Sequence, residues 1–251
     1  MGLTRLHRSQ GLYPVEVCFS PLSWPLFQPD DALVVVVDIF RATTAICTAF
    51  QTGVKAIIPV AEIAESEAYK ALGGYVIAGE RDGRKLECAE LGNSPFGFQD
   101  PGLKGKTIVL NTTNGTQALK MVSQGKNEVV IGAFSNLNTV ISYALKTKKP
   151  VSIFCAGWKD RFSMEDSLFA GALVSSLLDA DLSFYCLCDS ALASALLWLQ
   201  ARDNPLEFIE NAAHRHRLKN LGLDDIIPYS LQANTCQVLP TLHKGVLVNT
   251  V

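Results

Sequence analysis

Short, unbroken runs of β-branched and other apolar residues recur along the chain, and they restrict its fold more than any other feature. They fall at 15–19, 33–37, 54–60, 75–78, 107–110, 128–131 and 151–155. A strand with one wet face alternates apolar with polar residues, whereas a strand covered on both faces reads as a continuous apolar run. Between the runs lie segments of helical character at 43–51, 63–72, 116–123, 138–146 and 166–179. Strand alternating with helix predicts an α/β fold, layered α/β/α around a mostly parallel sheet. Beyond about residue 182 the pattern changes. Residues 190–201 and 205–219 read as helices, with Pro205 suited to a first turn, and the runs 236–239 and 245–248 predict a closing hairpin. No Pro/Ser-rich or charged linker divides the chain, so 1–251 is expected to be one compact unit, with room for two lobes.

Composition narrows the function class. Hydrophobic residues make up 48% and charged residues 18% of 251, enough apolar material for a core and too much for a disordered chain. The formal net charge of -2 lacks the basic surplus of proteins that work on nucleic acid or anionic membranes. Seven cysteines is an odd number, and they sit mostly inside apolar runs, as in Val17-Cys18-Phe19 and Phe154-Cys155-Ala156. That usage predicts reduced thiols and a cytoplasmic setting. Residues 1–20 hold Arg5, His7, Arg8 and Glu16 with no apolar stretch of signal-peptide length, and no 18-residue apolar run is present to span a membrane.

In open α/β sheets, ligands bind beyond the carboxyl ends of the strands, where loops meet helix N-termini. Those ends carry Asp38, Arg41, Thr43 and Thr44 after the second run, and Glu80 and Arg81 after the fourth. They carry Asn114, Gly115 and Thr116 after the fifth, and Arg161, Glu165 and Asp166 after the last. Phosphate binding needs cationic forks, helix-start N–H groups and small hydroxyls, which Arg41, Thr43, Thr44 and the Asn114–Thr116 turn supply. A hard cation such as Mg²⁺ needs one or two carboxylates, for which Asp38, Glu80, Glu165 and Asp166 are candidates. Together they point to metal-assisted phosphoryl transfer on a small-molecule phosphate, with Asp38, Arg41, Glu80 and Asn114 as catalytic candidates. Each also has a plainer reading: Asp38 as a cap, Asn114-Gly115 as a turn, Glu165-Asp166 as the acidic opening of a helix.

Other patterns compete. Gly105-Lys106-Thr107 ends like a P-loop, but Asp100 stands where the first glycine belongs, and the triplet precedes a strand. Asp38 follows a strand as in haloacid-dehalogenase-type phosphatases, but Phe40 replaces their second aspartate. His214 and His216, beside Arg215 and Arg217, read as a solvated helix face rather than a metal site. Cys155 and Arg161 form a Cys-x5-Arg spacing after a strand, the pattern of a cysteine-dependent phosphatase. A non-catalytic phospho-ligand-binding protein on the same scaffold is the remaining alternative.

With Asp38-Ile39-Phe40-Arg41-Ala42-Thr43-Thr44, Gly79-Glu80-Arg81, Gly92-Asn93-Ser94-Pro95, Thr112-Thr113-Asn114-Gly115-Thr116 and Gly157…Ser163-Met164-Glu165-Asp166 in this order, the chain resembles the 2-phosphosulfolactate phosphatase family over about residues 15–240. The resemblance implies an α/β fold, a Mg²⁺ requirement, a role in coenzyme M biosynthesis and a homo-oligomer, a dimer being favoured. It implies hydrolysis of 2-phospho-3-sulfolactate to 3-sulfolactate and phosphate. It also adds Asn93 and Ser94 to the substrate-binding candidates Thr43, Thr44, Arg81, Gly115, Thr116 and Arg161. Whether Asp38 is a nucleophile or a metal ligand stays open at this point. The segment around His214 and Tyr229-Ser230 fits the family pattern only loosely.

Overall fold

The computed structural model describes residues 11–27, 29–123 and 126–251; the first ten residues of the N-terminal segment read above as lacking a signal peptide lie outside them. The chain runs β1 (Tyr13–Cys18), β2 (Leu33–Val37), α1 (Ala42–Gln51), β3 (Ala56–Pro59), α2 (Ile63–Leu72), β4 (Val76–Arg81) and β5 (Arg84–Lys85). It continues through β6 (Thr107–Asn111), α3 (Gly115–Val122), β7 (Glu128–Gly132), α4 (Leu137–Thr147), β8 (Val151–Cys155), α5 (Met164–Ala180) and β9 (Phe184–Cys186). Helices α6 (Asp189–Ala201), α7 (Pro205–Phe208), α8 (Ala213–Asn220) and α9 (Ile226–Ser230) precede the hairpin β10 (Pro240–His243) and β11 (Val246–Asn249). The fold is α/β on a mixed, mostly parallel sheet of 11 strands in the order β5-β4-β6-β3-β11-β10-β7-β2-β8-β1-β9.

Strand β2 shows why the runs are unbroken. All five of its residues are buried, and it lies parallel between β7 and β8, with Val35 opposite both Val130 and Ile153. Helix α1 is buried from Ala42 to Phe50. Its sequence carries no charge, and its small residues let sheet and neighbouring turns approach from several sides. Its threonines cost little because Thr48 Oγ donates back to the Thr44 carbonyl.

Two parallel blocks, β4-β6-β3 and β7-β2-β8-β1-β9, are joined through the C-terminal hairpin, which pairs antiparallel with β7 at Thr241–Val130 and with β3 at Leu247–Ile57. With three antiparallel junctions in succession, the blocks run in opposite senses. In a flat sheet their carboxyl ends would lie on opposite edges. Six steps separate β4 from β2, and a twist of roughly 20–25° per step turns one block by more than about 100° against the other. That rotation turns the two sets of carboxyl ends toward the same side, and they meet where Arg41 Nη2 lies 3.8 Å from Glu80 Oε2.

Three expectations are corrected. The first hairpin strand is residues 240–243, not 236–239, because Lys244 and Gly245 at φ 49° and 82° form the two-residue, left-handed turn that suits a hairpin. The helix read over 205–219 breaks after Phe208 and restarts at Ala213, with Ile209 buried between the pieces. Strand β9, at the sheet edge beside β1, was not foreseen; three residues are too few to show a period.

Candidate active site

Asp38 leaves the end of β2 into a tight loop. Its carbonyl accepts from Thr43 N–H at 2.9 Å, its own N–H donates to Thr43 Oγ at 3.1 Å, and Thr44 Oγ donates to the Ile39 carbonyl at 3.0 Å. The two threonine hydroxyls expected on substrate therefore shape the loop. Helix α3 enters from the other block: a Cβ placed on Gly115 would stand 2.6 Å from Ala42 Cβ and 3.2 Å from Asp38 Oδ2. The N-termini of α1 and α3 thus meet beside the Asp38 carboxylate. Thr112 Oγ accepts from Thr116 N–H at 3.1 Å and Thr116 Oγ donates to the Thr112 carbonyl at 2.8 Å, so Thr116 also serves its own loop. Half-buried Asn114 is the N-cap of α3 and gives no side-chain cap; it lines a cavity of ≈ 270 Å³ with Ala156 and Lys159.

Glu80, at the end of β4, is buried and holds two loops at once. Its Oε1 accepts from Thr113 N–H and its Oε2 from Gly83 N–H, both at 2.7 Å, and Arg41 Nη2 lies 3.8 Å from Oε2. Arg41 is buried as well, and burial lowers its pKa against the opposing charges of Glu80 and Asp38. Arg81 turns away, donating to the carbonyls of Glu80 and Ala61 at 3.0 and 2.7 Å, which corrects its expected role on substrate. Asn93 and Ser94 precede the 3-10 turn Pro95–Gln99, and no hydrogen bond or ion pair among the described residues joins them to Asp38, Arg41 or Glu80.

Glu165 and Asp166 open α5 and are both buried. Asp166 ties two strand ends together: Oδ1 accepts from Ile39 N–H at 2.9 Å and Oδ2 from Gly157 N–H at 3.0 Å. Glu165 Oε1 receives the Nδ1 proton of His214 at 2.5 Å, and Arg217 Nη2 donates to His214 Nε2 at 2.5 Å. His214 is buried and packs edge-on against Phe40; the Arg217 guanidinium lies 3.1 Å from the centroid of Trp158. The solvated-face reading of this segment is corrected for His214 and Arg217 and holds for His216, which is exposed. On the two-turn helix α8, residues 214 and 217 share a face; the sequence signal was that i, i+3 pair of a histidine and an arginine.

The electrostatics follow from crowding. Burial, with Glu80 and Glu165 adding to it and His214 and the Ala42 amide opposing, raises Asp38 to about 6. Burial and the charges of Glu165 and Asp38 push Asp166 well above the ordinary carboxylate value. Burial would raise Glu165 too, but His214 and Ser163 hold it below its usual value. Among the described residues no three His, Cys, Asp or Glu side chains converge as a metal cluster, so the four expected acids do not form one ligand set. The donor chemistry still fits a hard cation held by two carboxylates, since the charge of Asp38 raises Asp166 and a cation relieves that repulsion.

The cysteine alternative does not survive the geometry. Cys155 has no exposed surface, and burial together with Asp166, Cys18 and Glu165 drives its thiol well above the ordinary value. Arg161 is exposed on the rim and is no clamp for that sulfur.

A family model described as 2-phosphosulpholactate phosphatase matches residues 18–245. The chain belongs to the 2-phosphosulpholactate phosphatase family. It is 36% identical over 214 residues to a "Probable 2-phosphosulfolactate phosphatase" of Thermotoga petrophila, covering 85% of this chain and 90% of that one. A protein of the same name in Carboxydothermus hydrogenoformans is 38% identical over 231 residues, covering 91% and 93%. One in Caldanaerobacter subterraneus is 36% identical over 217 residues, covering 85% and 89%. The family match spans both blocks of the sheet and α8, so the convergence at Asp38 and the His214–Arg217 arm both lie inside it. No helix among the described residues is long and apolar enough to cross a membrane.

Proposed function

We propose that this family member is a phosphatase that hydrolyses 2-phospho-3-sulfolactate to 3-sulfolactate and phosphate and requires Mg²⁺. The observation that carries the reading is the meeting of the α1 and α3 N-termini beside Asp38, at the close approach that Gly115 permits. Helix N-termini present N–H groups and positive potential to an anion, and the Arg41 guanidinium beside them adds a cation in a water-poor setting, where charge stabilisation is strongest. Phosphoryl oxygens are held there and the developing charge is stabilised by Arg41. Asp38 is buried beside that anion site, where a carboxylate orients the attacking water. Asp38 and Asp166 would hold Mg²⁺, which when bound neutralises phosphate charge. Glu80 keeps Arg41 and the 80–83 and 113 loops in place.

The test is release of phosphate from 2-phospho-3-sulfolactate with Mg²⁺, after EDTA, and after Mg²⁺ is restored. We expect activity to be abolished by the chelator and recovered with the metal. Full turnover in excess EDTA would overturn the metal assignment, and no turnover of any phosphate ester would overturn the phosphatase reading.

A further inference from the structure

The guanidinium of Arg217 is the feature of this site that its known parts leave unused. One nitrogen, Nη2, donates to His214 Nε2, but Nε and Nη1 are enclosed without a hydrogen-bond partner. A guanidinium with unpaired, enclosed donors is costly, and a small shift of its end toward the open space beside it would present the Nη1–Nη2 edge, on which an acid group accepts side by side. The group is held for such a partner. Trp158 supports its flat face at 3.1 Å, and the His214–Glu165 pair fixes its end.

Beside it opens a cavity of ≈ 460 Å³, lined among others by Trp158, Arg161, Phe162, Met164, Ala212 and Arg217. Asp38, Arg41 and Gly115 are not in its wall, so it extends away from the phosphoryl position. It is nonetheless close enough for Arg217 to feel Glu80, Arg41, Asp38 and Glu165. A substrate with phosphate at the meeting of α1 and α3 therefore has room for its remainder here, between apolar walls and a cation. Arg41 faces the phosphoryl position, and Arg81 is committed to backbone carbonyls.

We infer that Arg217 is a specificity-determining residue that binds the acid group a substrate carries beyond its phosphate, with His214 and Glu165 as positioning residues. The inference rests on the phosphatase reading for its kinetic arm but not for its binding arm. Specificity of this kind comes from pairing a substrate group with site donors that its absence leaves unsatisfied.

The experiment compares wild type, Arg217→Met, Arg217→Lys and His214→Gln. One arm measures kcat and KM on 2-phospho-3-sulfolactate and on 4-nitrophenyl phosphate, which has no second acid. The other measures the rise in Tm on adding 3-sulfolactate. Arg217→Met should lower kcat/KM for the sulfolactate ester at least about tenfold more than for the aryl ester, chiefly through KM. It should also abolish the Tm rise. Arg217→Lys, which keeps charge but loses the fork, should recover only part of the discrimination. His214→Gln should raise KM for the sulfolactate ester without an equal rise for the aryl ester. Equal losses on both esters, or a Tm rise that survives in folded Arg217→Met, would overturn the inference. A wild type that binds 3-sulfolactate through Arg217 but turns over neither ester would overturn the phosphatase reading and leave this one standing.

Discussion

A buried carboxylate whose pKa is lifted to about 6 weakens the fold that carries it. The unfolded value is near 3.8, so between about pH 3.8 and 6 the folded state binds more protons than the unfolded one. Stability tied to Asp38 is therefore present at low pH and lost as pH rises through 6. Asp38→Asn removes that charge, keeps the shape and should raise stability at pH 8 by on the order of 1–3 kcal/mol. It should also lower kcat by at least about a hundredfold. Thermal melts at pH 5 and pH 8 with steady-state rates check both halves. A folded variant with normal kcat would reduce Asp38 to a cap, for which asparagine serves nearly as well. Cys155→Ser is the opposite case. The thiol is wholly buried at the end of β8, so the hydroxyl should cost about 1–3 kcal/mol of stability and leave turnover within a few-fold. Loss of activity in a folded variant would revive the cysteine mechanism.

Among the elements, the contact between α1 and α3 matters most, and it depends on a missing side chain. Gly115→Ala would set a Cβ 2.6 Å from Ala42 Cβ, closer than two carbons approach, and one helix must retreat. Overpacking of this kind costs about 1–3 kcal/mol. The displacement falls on the groups facing phosphate, so kcat/KM should drop more than tenfold while the circular dichroism spectrum is retained. A fully active Gly115→Ala enzyme would mean that the two N-termini do not act together on substrate. Helix α5 has a related duty. Its first turn places Asp166 to join the loops after β2 and β8, so its acidic opening is a clasp between strands as well as a match to the helix dipole.

For the whole molecule, the hairpin β10–β11 links two blocks that otherwise run in opposite senses. None of its residues contributes to the site around Asp38, yet the site requires the twist that passes through it. An exposed ion pair, Lys159 Nζ to Asp82 Oδ1 at 3.1 Å, also joins turns from the two blocks but is screened by solvent. Gly245→Val would force a β-branched residue to a φ near +82°, a strain of about 1–3 kcal/mol. For a chain of this size the melting temperature should fall by roughly 3–10 °C. Activity near that temperature should vanish with the fold, while kcat well below it should remain close to wild type. Unchanged melting would show that the turn is not part of what holds the blocks together.

The elements themselves were legible because burial is written locally. The valines of 33–37 mark a strand covered on both faces, and the observed β2 has those bounds; the helix over 63–72 matches as closely. The candidates Asp38, Glu80, Gly115, Glu165 and Asp166 were legible because chemistry collects where strands end. What the sequence could not express is which ends meet. Glu80 reaches Arg41 only after twist accumulates across the sheet, and His214 reaches Glu165 from 49 residues away. The polar helix that carries His214 shows no hydrophobic period to announce that one face is buried. Threonine 43, threonine 44 and Arg81 show the converse: their residue types suit a phosphate, but nearer backbone groups claim their hydrogen bonds. Periodicity and residue type therefore determined the layers and the chemical inventory. Long-range strand pairing, accumulated twist and competition for each donor decided the site.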